Sequence, residues 1–186
     1  VSSAASDVYK RQLMDEPCAA FVDYMVRRGT ELGELAEPRN LLVIDFGGGT
    51  CDVAVFQVQR SGVGPIRMRS MAVSRYHRLG GADIDLAIVH KVLMPALRRE
   101  CGLSEFDVDF EEVQARFVPA LQPVAEALKI QISNEMWRRE AFGQSLEQVN
   151  AAIARFPQAT SIVSKKLGRT LSLSPEASTL RGEQFL

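Results

Sequence analysis

Three consecutive glycines, Gly47, Gly48 and Gly49, stand between two apolar runs and constrain the chain more than any other feature. The run before them, residues 41–46, is continuous except for Asp45, the pattern of a strand buried on both faces that carries a carboxylate near its end. Residues 53–59 are rich in β-branched side chains and alternate weakly, as a return strand does. The glycines therefore turn a hairpin. Residues 61–65 supply another turn, and residues 66–74 alternate Arg67 and Arg69 with Ile66 and Met68, a third strand with one wetter face. Three antiparallel neighbours are expected.

Past Asp83 the period changes. Leu86, Val89, Leu93 and Leu97 recur at helical spacing, and Pro95 is expected to kink or end that helix. Residues 111–117 and 123–134 also read as helices, residues 144–155 as a weaker one through Leu146, Val149 and Ile153, and residues 161–174 as a hairpin. Upstream, Pro17 suits the first turn of a short helix that Gly29 would end, with a linker over 33–40. Residues 1–12 are small and polar, a disordered tail or non-native leader. This organisation divides the chain into 1–12, a helix and linker over 13–39 that closes a first lobe, a sheet with its glycine loop over 40–81, and an outer helical subdomain over 82–186.

Bulk properties narrow the chemistry. With 46% hydrophobic and 24% charged residues in 186, a packed core of one domain or two small lobes is expected. Charges nearly cancel, 22 basic against 23 acidic, so no strong field attracts nucleic acid or an anionic membrane. Cys18, Cys51 and Cys101 form no CxxC pair, which fits reduced thiols rather than a zinc site. No apolar run approaches the roughly 20 residues of a membrane helix, and a cytoplasmic location is expected.

The segment Asp45-Phe-Gly-Gly-Gly-Thr-Cys-Asp52 combines a strand-end carboxylate, glycines, a hydroxyl and a second carboxylate. Glycines bring backbone N–H groups to phosphate oxygens, because no Cβ blocks the approach and positive φ is cheap. Thr50 adds a hydroxyl donor. A carboxylate beside a phosphate cradle makes sense chiefly with Mg²⁺ between them. A tight hairpin turn accounts for the same glycines without any ligand. Three further groups stand out. Leu79-Gly-Gly-Ala-Asp-Ile-Asp85 would start a helix with Asp83 as N-cap, offering free amides to an anion or merely capping. Glu126, Lys129 and Ser133 share one stripe of a helix whose other side is Val124, Ala125, Leu128 and Ile132, the spacing of a functional face or of an ordinary solvated pair. Glu16, in the acidic pair Asp15-Glu16, precedes a helix start, where capping alone explains it.

Taken in order, Asp15-Glu-Pro-Cys-Ala-Ala20, Asp45 to Asp52, Leu79 to Asp85 and Glu126-x-x-Lys129-x-x-x-Ser133 resemble the nucleotide-binding domain of the 70-kilodalton heat-shock (DnaK-type) chaperone family. The resemblance covers residues 13–133 well and the rest loosely. It implies an α/β, actin-like ATPase (ribonuclease H-like) fold, here partial: a mixed sheet with antiparallel hairpins plus a helical outer subdomain. It also implies ATP or ADP with Mg²⁺ as cofactors. Gly47, Gly48, Gly49 and Thr50 would form a phosphate loop, Asp45 would hold the metal through water, and Glu16 would place the metal or attacking water. Gly80 and Gly81 would close the phosphate side, and Glu126, Lys129, Ile130 and Ser133 would meet the adenosine. In the parent protein the implied partners are peptide clients, a J-type co-chaperone and a nucleotide-exchange factor. Cys18 replaces the usual threonine, Ala82 an acid, and Ile130 an arginine that stacks on adenine. No counterpart of the family's first phosphate loop or catalytic lysine is found, so the chain alone is expected to hydrolyse ATP no faster than background. A bacterial actin homologue, a sugar or acetate kinase of the same fold, and a non-catalytic nucleotide-binding remnant are the alternatives.

Overall fold

Glycine-punctuated strands and striped helices give two units in the computed structural model, which describes residues 16–28, 37–60, 62, 64–74 and 77–185. The division falls at Val1–Gly80 and Gly81–Leu186. The expected tail over 1–12, the helix stop at Gly29, Asp15 and the first part of the linker lie outside the described residues.

In the first unit β1 (Arg39–Phe46), β2 (Cys51–Arg60) and β3 (Ile66–Val73) form one antiparallel sheet in the order β1-β2-β3, as the sequence predicts. The hairpin register pairs Phe46 with Cys51 and Asp45 with Asp52, and a bulge lies between Val55 and Phe56 where β2 meets β3. α1 (Glu16–Arg28) carries Pro17 in its first turn, where the missing N–H costs no helical bond. It covers one sheet face, with Phe21 against Phe56 at a ring-centroid distance of 5.3 Å and Ala54 and Val58 buried beside them. The expectation that β1 is buried on both faces is corrected. Leu41 and Val43 pack under α1, but Leu42, Ile44 and Phe46 on the other face are 60%, 59% and 49% exposed. A continuous apolar run reports only that both faces can be buried; α1 is the only described helix of this unit, and it covers one face.

The second unit is built on two long helical segments. α2 (Gly81–Ile88) runs through a π-helical turn, Val89–Leu93, into α3 (Met94–Cys101). Pro95 therefore does not end the helix. The wider turn, closed by the Met94 N–H on the Val89 carbonyl, comes just before the proline and places it at the first turn of α3, where its missing donor is harmless. The same device recurs: α4 (Phe110–Glu112) passes through the π-helical turn Val113–Phe117 into α5 (Val118–Ala141), with proline again just inside. Gly102, at φ 64°, ends α3 in the left-handed conformation that glycine adopts cheaply.

The expected helix over 144–155 is only half present. α6 (Leu146–Asn150) starts at a Ser145–Gln148 capping box, but β4 (Ile153–Arg155) is a strand that pairs with β7 (Thr179–Arg181), because pairing satisfies backbone groups that a frayed helix end would leave open. The hairpin expected over 161–174 is β5 (Thr160–Ser164) with β6 (Arg169–Leu173). α7 (Gly182–Phe185) follows β7. Leu93, Leu97, Phe117, Leu121, Leu128, Ile132, Leu171, Leu173 and Leu180 are fully buried in one core. Burying each such side chain contributes about 1.5–3 kcal/mol.

Candidate functional site

The glycine turn is held by backbone alone. Gly47 N–H donates to the Thr50 carbonyl at 2.8 Å, closing the hairpin, so one of the three glycine amides is already used. Gly48 and Gly49 N–H groups and the Thr50 hydroxyl have no hydrogen-bond partner among the described residues, and nothing lies within 4 Å of where a Cβ would stand on Gly48 or Gly49. Positive φ, offered above as one reason for glycine here, does not apply: among the described residues the positive-φ glycines are Gly62, Gly102, Gly143 and Gly168. Close approach instead constrains Gly80. After β3 the chain returns alongside β2, with Cys51 N–H donating to the His77 carbonyl at 3.0 Å and Leu79 N–H to the same carbonyl at 2.9 Å. That return lays Gly80 on the turn, where an added Cβ would stand 2.5 Å from the Gly49 nitrogen and 2.6 Å from the Gly48 carbonyl carbon. Gly80 thus backs the turn while the outer side of Gly48 and Gly49 stays open.

Beside this turn Asp45 and Asp52 face each other across the hairpin, both half-buried and on the α1 side of the sheet. Directly opposed like charges destabilise a strand pair unless a cation stands near them. Glu16 is exposed at the first residue of α1 and makes no hydrogen bond or ion pair with another described residue. Nothing among the described residues ties it to Asp45. Among the described residues no group of three or more histidine, cysteine or acidic side chains forms a metal cluster. A phosphate-bound Mg²⁺ needs only one or two protein carboxylates, and two carboxylates beside open amides and a free hydroxyl fit that donor set.

The second unit carries the helical stripe on α5. Val124, Ala125, Leu128 and Ile132 are buried as their spacing predicts, while Glu126, Ile130 and Ser133 are exposed. Lys129 departs from the ordinary solvated pair with Glu126. Its ammonium turns to α2, 3.0 Å from the Gly81 carbonyl and 2.8 Å from each carboxylate oxygen of Asp85, in hydrogen-bonding geometry with Oδ2 alone. Asp85 is 5% exposed, and its Oδ1 has no hydrogen bond of its own. An ammonium has three donors, so two are taken and one is left. Asp83, expected as the N-cap of α2, instead lies within its first turn, because the helix begins two residues earlier at Gly81. Gly81 serves the stripe through its carbonyl.

Asp85 and the carbonyl of His77 are the features that residue-by-residue reasoning left without a role. Asp85 sits four residues after Gly81, one helical turn on, which is the spacing that lets both reach one ammonium. The His77 contact is made by backbone and leaves no mark on residue type.

Comparison with known proteins supplies the chain's family. The family model described as Hsp70 protein matches residues 8–170, most of the chain. The chain belongs to the Hsp70 family. It is 33% identical over 94 residues to a heat shock cognate HSP70 protein of Trypanosoma brucei brucei, covering 50% of this chain and 12% of that protein. It is 26% identical over 125 residues to the chaperone protein DnaK of Elusimicrobium minutum, covering 67% and 17%. A chaperone protein HscA homolog of Acinetobacter baumannii is 32% identical over 130 residues, covering 70% and 18%. This Hsp70-family chain therefore spans less than a fifth of the length of these relatives. All these matches carry chaperone or heat-shock names, and the bacterial actin-like alternative is not favoured. Mixed α/β structure with antiparallel sheets agrees with the expected fold class at that level. No helix among the described residues is long and apolar enough to cross a membrane.

Proposed function

We propose that this Hsp70-family chain is part of an actin-like, magnesium-dependent ATPase domain of a chaperone and supplies two of the surfaces that hold the nucleotide. The observation that carries this reading is the pair of unbonded amides at Gly48 and Gly49, open on one side and backed by Gly80 on the other. In the first unit these amides and the Thr50 hydroxyl would bind phosphate oxygens, and Asp45, with Asp52 opposite, would hold Mg²⁺ through water. The metal, when bound, neutralises phosphate charge and polarises the bond to be broken. Glu16 would orient the metal's water shell or the attacking water. In the second unit Glu126, Lys129 and Ser133 on α5 would take the ribose and base. Lys129 reaches its ligand with the one donor that Asp85 and Gly81 leave free, so Asp85 is a positioning residue. Ile130, 52% exposed, offers the base an apolar surface without a cation. In the whole protein the nucleotide state would be relayed to peptide clients, with a J-type co-chaperone and a nucleotide-exchange factor as partners.

Isothermal titration of the chain with Mg-ADP tests the reading. Asp45→Asn and Lys129→Ala are each expected to weaken binding about tenfold or more, the loss that follows from removing a charged hydrogen-bonding group. Equal affinities for wild type and both variants would reject it.

A further inference from the structure

A second concentration of charge lies in the second unit, on residues that the nucleotide reading does not use. A cavity of about 320 Å³ is lined by Lys91 and Arg99 from the α2–α3 segment, Arg155 of β4 and Arg181 of β7, together with Glu176 and Gln184. Two independent elements contribute cationic residues to its lining. Lys91, Pro95 and Arg99 recur at four-residue intervals on one helical face. On the ribbon Ile153 opposes Arg181 and Arg155 opposes Thr179, which places both arginines on one face, diagonal to each other.

None of the four cationic side chains makes an ion pair or a hydrogen bond with another described residue, and Glu176 is the one described carboxylate lining the cavity. Arg99 alone is explained by its place in the last turn of α3, where a cation meets the carbonyl end of the helix dipole. That argument does not reach Lys91, Arg155 or Arg181. Four like charges around one small cavity repel, and the repulsion is relieved by an anion that bridges them. Gln184 adds a neutral donor to the same rim. Its Oε1 accepts from the Arg181 N–H at 2.9 Å, which fixes the amide and leaves its NH₂ free to donate.

We infer that this cavity is an anion-binding site for a phosphoryl group, distinct in its residues from the glycine turn and from the α5 stripe. Planar guanidinium forks match the oxygens of a phosphoryl group, three of them converge here, and the lysine adds a point charge. The phosphoryl group can come from a free polyphosphate or from a phosphorylated side chain of another protein, and the two sources differ in what flanks the phosphate.

The test is calorimetric titration of the full chain with inorganic pyrophosphate in EDTA, which removes any metal-dependent contribution of the glycine turn. Saturable binding with one site per chain is expected. The exposed double substitution Arg155→Gln/Arg181→Gln should weaken it at least tenfold, and Lys91→Gln/Arg99→Gln should do the same from the opposite wall. Arg67→Gln/Arg69→Gln on β3 removes the same charge and should leave it unchanged. Displacement of pyrophosphate by a phosphoserine peptide, and not by its unphosphorylated form, assigns a protein-borne phosphate; retention of pyrophosphate against that peptide assigns a free one. Absence of saturable binding, or equal losses in all three double variants, would overturn the site.

Discussion

Gly80 and Gly49 differ in what a methyl group would meet, and the difference separates folding from binding. On Gly80 it would collide with the Gly48–Gly49 backbone at 2.5–2.7 Å, whereas on Gly49 it would enter open space. Gly80→Ala is therefore expected to destabilise the first unit by about 1–3 kcal/mol, the usual cost of overpacking. Gly49→Ala should leave chemical denaturation within about 0.5 kcal/mol of wild type while lowering Mg-ADP affinity, because the methyl group occupies the space assigned to phosphate. Equal stability losses in urea titrations of the two variants would show that both glycines serve only the turn. At this scale the sequence displayed the residues but not their reasons. Glycine identity suggested positive φ, yet the triplet has none; the packing demand for glycine falls on Gly80 instead, whose Cβ would meet the turn. The inward turn of Lys129 to Asp85 was equally hidden, since helical spacing shows which residues share a face but not which element will lie against it.

Elements were more legible than their ends. The three strands of the first unit, the amphipathic stripe of α5 and the β5–β6 hairpin follow from periodicity and turn residues. What escaped is set by competition between neighbours: π-helical turns accommodate Pro95 and the proline that opens α5, and β4 forms because β7 is there to pair with it. The C-terminal half of α5 also carries a pH-dependent contribution. Glu135 accepts from Arg139 Nε at 2.8 Å and from Arg138, and chiefly the Arg139 hydrogen bond holds its carboxyl below the ordinary value of 4.5. A carboxylate whose pKa is depressed on folding contributes stability that is present above its unfolded pKa and lost as pH falls through the folded one. Urea midpoints of wild type and Glu135→Gln should therefore differ by a constant amount above about pH 5 and converge below the ordinary glutamate range. A difference that persists unchanged into that acid range would show that the ion pairs contribute nothing.

At the scale of the molecule the two units are unequally equipped. The second has a continuous core drawn from helices and both strand pairs, whereas among the described residues the first buries Phe21, Ala54, Phe56 and Val58 under one helix and leaves Leu42, Ile44 and Phe46 exposed. Residues 81–186 expressed alone are accordingly expected to unfold cooperatively on heating, with helical circular dichroism; a non-cooperative, sloping transition would contradict an independent core. Membership of the Hsp70 family, shown by the match over residues 8–170, gives both units a common context. The claim on which the functional account turns is smaller than either unit: the amides of Gly48 and Gly49 are kept unbonded for phosphate. Amide hydrogen exchange followed by NMR addresses it directly. Both amides should exchange fast in the free chain and slow by about tenfold or more when Mg-ADP is added, as open donors become hydrogen-bonded. Unchanged exchange at both glycines under saturating Mg-ADP would contradict the account.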